Sequence, residues 1–126
     1  MAKPAVFVTS VVVGLMPAAV GAEELTCQAK NAWRLEDGGL VAHPEDFYGL
    51  AEVGQLSVDL VSGAVSSKSG PIAGLIMTSR FDPAAGADVV LAAPDGKMVF
   101  RARDVEGAIS FLLLDTYDLY VGNCRR

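Results

Sequence analysis

Few residues in this chain can do chemistry. His43 is the only histidine among 126 residues, and Cys27 and Cys124 are the only cysteines. A nucleophilic hydrolase needs a base beside its nucleophile, and His43 is the one candidate, with no G-x-S-x-G elbow to accompany it. Ser62, Ser66, Ser67 and Ser69 cluster at a turn, where serine is routine. His43, Glu45 and Asp46 are close enough in sequence to hold a cation loosely. Zinc asks for several His or Cys ligands and hard cations for more oxygens at tighter spacing, so no metal site is expected. Asp104, Glu106, Asp115 and Asp118 contain pairs that would suit glycoside hydrolysis if they faced each other across a cleft. Turn-forming and solubilising acids are the plainer reading. With no G-x-G-x-x-G, no Walker sequence and no C-x-x-C-H, no cofactor is expected.

Binding residues are easier to nominate. Trp33, Phe47, Tyr48, Phe81, Tyr117 and Tyr120 can line a cavity or a patch. Arg101 and Arg103 share one face of an alternating segment and can grip a carboxylate or phosphate, unless neighbouring acids such as Asp88 or Glu106 occupy them. Trp33, Phe47, Tyr48, Arg101 and Arg103 are therefore the candidate ligand- or partner-binding residues. Trp33 and Phe111 also fit a core.

These residues must be positioned by a single domain, since 126 residues do not suggest two. Hydrophobic residues make up 52% of the chain, enough to fold. Ten Lys+Arg against fifteen Asp+Glu give a net charge of −5. An acidic chain without a basic cluster is not expected to bind nucleic acid.

Met1–Ala22 reads as a signal peptide. Lys3 is the positive start, Ala5–Met16 the apolar stretch, Pro17 a helix breaker, and Val20-Gly21-Ala22 offers small residues for cleavage. The apolar stretch is shorter than the roughly 20 residues of a transmembrane helix, so no stable membrane insertion is expected after cleavage. Cys27 follows Thr26 and lies too far from the apolar stretch to be a lipid-attachment cysteine. The expectation is a periplasmic or secreted domain over 23–126. In such a compartment two cysteines normally pair, and Cys27 with Cys124 would join the first strand of the domain to the last.

Period-two alternation recurs along that domain. Over 26–35, Cys27, Ala29, Asn31, Trp33 and Leu35 share a face, and Asp37-Gly38-Gly39 turns the chain into a short return over 40–42. The stretch 43–53 reads as a loop with room for one helical turn. Strands are expected over 55–60, 64–68, 72–80, 88–92, 97–103, 108–114 and 119–124. Val61-Ser62-Gly63, Ser69-Gly70-Pro71, Pro94-Asp95-Gly96 and Glu106-Gly107 punctuate them. The expected fold is all-β: a single antiparallel domain of about seven to nine short strands, a small barrel or sandwich, closed by one disulfide.

Four segments resemble a family of small secreted periplasmic proteins of Gram-negative bacteria that carry a Cys pair on their terminal strands. They are Thr26-Cys27-Gln28-Ala29-Lys30, Leu35-Glu36-Asp37-Gly38-Gly39, Leu56-Ser57-Val58-Asp59-Leu60 with Ser62-Gly63-Ala64, and Tyr120-Val121-Gly122-Asn123-Cys124-Arg125. The resemblance implies export, β structure and the terminal disulfide, and carries no activity with it.

The functional expectation is an exported, non-enzymatic binding or interaction protein whose partner is an unknown small molecule or protein. One alternative is an inhibitor of an exported enzyme, with the 43–49 loop entering the target's cleft. A less favoured one is a small carboxylate-based enzyme.

Overall fold

Alternating β-rich segments separated by Gly, Asp and Pro become ten strands and one short helix. The computed structural model describes residues 23–82 and 86–126, so the expected signal peptide and most of the loop expected at 82–86 lie outside the described residues. The strands are β1 Glu24–Glu36, β2 Gly39–Ala42, β3 Gln55–Asp59, β4 Val65–Ser67 and β5 Gly70–Ile72. They continue with β6 Ile76–Ser79, β7 Val89–Ala92, β8 Met98–Val105, β9 Ala108–Asp115 and β10 Asp118–Arg125. The helix α1, Tyr48–Glu52, is the single turn expected within 43–53.

All ten strands belong to one antiparallel sheet in the order β5-β4-β3-β1-β10-β9-β8-β7-β6. β2 also pairs with β1. At 13 residues β1 is long enough to use one edge twice, pairing β3 along Glu24–Gln28 and β2 along Trp33–Glu36. Its other edge pairs β10.

The sheet curls into a half-barrel around its inner face. Leu25, Leu56, Val58, Leu91, Phe100, Phe111, Leu113 and Tyr120 fill the interior, with Leu50 and Val53 of the α1 segment packed against them. Period-two alternation holds along 55–60, 97–103 and 108–114, where Leu56, Val58 and Leu60, Phe100 and Ala102, and Ile109, Phe111 and Leu113 are the buried faces. The curl brings distant strands together. Beyond β6, the Arg80 guanidinium donates to the carbonyls of Leu60 and Val61 at the β3–β4 turn. Gly63 in the same turn lies against Met77 and Leu91. The sheet does not close: among the described residues β5 and β6 remain its outer strands.

Cys27 and Cys124 are bonded, 97 residues apart in sequence, and they are direct cross-strand partners with Cα atoms 4.0 Å apart. This close spacing is that of a non-hydrogen-bonded antiparallel pair. The bond joins the first and last strands as expected, but those strands are neighbours near the middle of the sheet. It fastens the centre of the sheet and not a seam.

Three expectations need correction. The face of β1 is right through Ala29 and then inverts: Ala32 is buried, while Asn31 and Leu35 are exposed and Trp33 faces outward. The cause is a bulge. Val121 pairs with Asn31 and Gly122 with Ala29, so Lys30 has no partner, and one extra residue swaps the faces. Next, Gly70 and Pro71, taken as punctuation, join Ile72 in strand β5, with Pro71 on an outer strand where its missing N–H costs no ladder bond. Finally, the strand expected over 72–80 spans only Ile76–Ser79.

Candidate functional site

An antiparallel sheet with one face on a core usually shows polar residues on the other. This one does not. The register places Ala42, Trp33, Leu119, Leu114, Val99, Ala92 and Ile76 side by side on the outer face, in an unbroken apolar row across β2, β1, β10, β9, β8, β7 and β6. The adjacent row reads Asn31, Val121, Leu112, Arg101 and Val90. The next one carries Asn123, Ser110 and Arg103.

A groove of about 610 Å³ lies over the second and third rows. Leu112, 36% exposed, and Val121 form its floor. Exposed Lys30 stands on one side, and Arg101 and Arg103 stand on the other with Asp88 between them. Three strand spacings, roughly 14 Å, separate the β1 and β8 backbones that carry these charges.

Asp88 fixes the two arginines. Only 5% of it is exposed. Its carboxylate accepts from Arg101 Nε at 2.7 Å, from Arg103 Nε at 3.1 Å and from Arg103 Nη2 at 3.2 Å. The Arg103 and then the Arg101 hydrogen bonds hold the Asp88 carboxyl below its ordinary pKa, and Asp88 raises Arg103 in return. One carboxylate against two guanidiniums leaves a positive charge uncompensated. Arg101 uses only Nε on Asp88, and Lys30 makes no ion pair among the described residues. The arrangement can therefore hold an anion with donors already oriented.

The five candidate binding residues fall in two places. Trp33, Arg101 and Arg103 share the outer face, with Trp33 one row from the groove. Phe47 and Tyr48 lie at the start of α1. Phe47 turns inward: the His43 ring stacks on it at 3.7 Å, Tyr120 lies beyond, and Phe47 packs on the core. Tyr48 points away and is 74% exposed. Sequence reasoning missed Leu112, Leu114, Leu119 and Val121. The signal was present in Phe111-Leu112-Leu113-Leu114, which is apolar on both faces of one strand.

His43 has a different task from either chemistry considered for it. Its Nε2 bonds Asp118 Oδ1 at 2.9 Å, and its backbone N–H donates to Ala32 O. It faces Asp118 and not Glu45 or Asp46, and no serine or thiol is bonded to it among the described residues. The contacts tie the 43–47 segment to β1 and β10. Nearby, burial pushes the Tyr120 phenol up to about 12, with Asp118, Asp115 and Tyr48 adding to the shift. Asp115 is also raised, first by burial and then by Asp118, its direct cross-strand partner.

The four acids weighed as a catalytic set do not converge. Asp104 and Glu106 border a second groove near Arg126, whereas Asp115 and Asp118 lie at the opposite end of β9, roughly 24 Å away along the strand.

Comparison with protein-family models, with curated proteins and with solved structures found no match. No described helix is long and apolar enough to cross a membrane.

Proposed function

We propose that this chain is an exported binding protein, without catalysis of its own, that works in the periplasm or outside the cell. It holds a small molecule or a partner protein on the outer face of β1, β10, β9, β8 and β7. The observation that carries this reading is the apolar row running from Trp33 to Ile76 on a face that would otherwise be polar. Contiguous apolar surface with charged residues at its margin is the mark of an interaction site. The Cys27–Cys124 bond supports an oxidising compartment, and the leader-like Met1–Ala22 supports export into one.

Native mass spectrometry of the protein purified from its own periplasm tests the reading. The expected result is extra mass that co-purifies with the protein and is lost in Leu112→Asp. A bare monomer, or turnover of a substrate abolished by one point variant, would overturn it.

The inhibitor reading has an observation of its own. Tyr48 projects from a segment anchored by His43 and Phe47, so it could enter a cleft without ordering cost. On that reading Tyr48→Ala abolishes inhibition while leaving the fold intact.

A further inference from the structure

We infer that the groove between Lys30 and the Arg101–Arg103 pair is a site for a single-chain amphiphile with an anionic head group, a carboxylate or a phosphate. The inference rests on the reading of the outer face as the binding surface and names its ligand class.

Three features carry it. The first is the chemistry of the two ends. Arg101 and Arg103 are held by Asp88 with one positive charge to spare, and they present guanidinium N–H groups at the edge of the groove. Beside them the floor is aliphatic, Leu112 and Val121, and it continues without a break into the Leu114–Leu119–Trp33 row. A head group fixed at the arginines leaves its chain lying over this apolar surface.

The second is size. About 610 Å³ falls in the range of sites for small molecules and is small for a folded partner. The third is the balance of charge. The whole chain carries −5, and removal of Lys3 with the leader makes the remainder one unit more negative. Such a molecule is repelled by an anionic bilayer, whose surface attracts polybasic segments. A single dispersed anion can still reach a local positive site. The occupant is thus a monomeric amphiphile and not a membrane surface.

Trp33 is the only tryptophan and shares the groove's face, so its fluorescence reports occupancy. The experiment titrates the folded protein with dodecanoate and dodecyl phosphate below their micelle thresholds. Dodecyl maltoside and dodecyltrimethylammonium serve as head-group comparators, and phosphatidylglycerol vesicles as the membrane arm. The expected result is saturable binding of the two anionic monomers, at least about tenfold tighter than the comparators and weakened by salt. Arg101→Gln, which leaves Asp88 held by Arg103 in two hydrogen bonds, should weaken dodecanoate by about tenfold. The head-group comparison needs no variant, so a misfolded Arg101→Gln protein would not spare the inference.

Equal binding of all four amphiphiles would overturn the inference while leaving the outer face as a binding surface. Binding of vesicles in preference to monomers would overturn it in favour of a membrane. No binding of any probe would overturn it too, and the native mass measurement would then judge the broader reading separately.

Discussion

Asp88 and Asp115 are both carboxylates on the sheet, and their surroundings push them in opposite directions. Asp88 is lowered by Arg103 and Arg101, so its folded pKa lies below the unfolded value. Its contribution to stability is present above the ordinary value of 3.8 and is lost as pH falls through the folded pKa. Asp115 is raised by burial and by Asp118. The folded state therefore takes up a proton there more readily than the unfolded chain. Ionised Asp115 costs stability, and the cost appears as pH rises through the folded pKa. Asp118 has Arg34 at 3.6 Å to answer its charge and the His43 ring hydrogen-bonded to it at 2.9 Å. Asp115→Asn should accordingly stabilise the protein near neutrality by up to about 1 kcal/mol, the scale of a like-charge cross-strand pair. The gain should vanish below the ordinary carboxylate pKa of 3.8. Urea unfolding of both proteins across that pH range checks the sign. A gain that persisted in acid would mean packing, not charge.

The bulge in β1 is the element that decides which side chains face outward. Without the extra residue at Lys30, one inward face would run through Cys27, Ala29, Asn31 and Trp33, as alternation alone implies. With it, Ala32 goes inward while Trp33 joins the outer row. Gly122 permits this. A Cβ at Gly122 would sit 2.0 Å from Gln28 O and 2.7 Å from Ala29 Cα, both backbone atoms that cannot turn aside. Gly122→Ala should cost more than about 3 kcal/mol, or prevent folding, because the strands must separate beside the disulfide. Thermal unfolding measures it; a loss under about 1 kcal/mol would show that the bulge can relax.

This element also shows where reading the sequence stops. The division of β3, β8 and β9 into two faces was legible because local alternation and burial agree along a single strand. The β1 inversion was not, because its cause is a glycine on a strand at the other end of the chain. Strand β5 was hidden because three residues around a proline carry no period, and only its pairing with β4 defines it. The Arg101–Arg103 pair was legible as two residues on one face, and Asp88 as one of two neighbouring acids, with Glu106, that could occupy it. The apolar floor beside them was not singled out, since each of its residues looks like an ordinary strand member until the register sets them side by side.

At the scale of the molecule, a single curled sheet with a short helix must supply the stability of a small domain. The Cys27–Cys124 bond closes a loop of 97 residues between two strands near the middle of that sheet. Replacing both cysteines with serine should lower the unfolding free energy by about 2–5 kcal/mol, read from urea denaturation. That is a large share of the 5–15 kcal/mol typical of domains. A change below about 1 kcal/mol would mean that the β1–β10 ladder alone already confines the unfolded chain.

The curl has a functional consequence as well. It commits the inner face to the core and leaves the outer face, among the described residues, as the broad surface of the sheet that a partner can meet. The surface used in the native compartment therefore decides between the outer face and the α1 segment. The most direct measurement places a photo-reactive phenylalanine at Leu112 in one variant and at Tyr48 in another. Each is irradiated in the periplasm of the source host, and the product is read by intact mass. The expected result is an adduct from position 112 and none from position 48. An adduct from position 48 alone would contradict it and move the binding surface to the helix α1 segment.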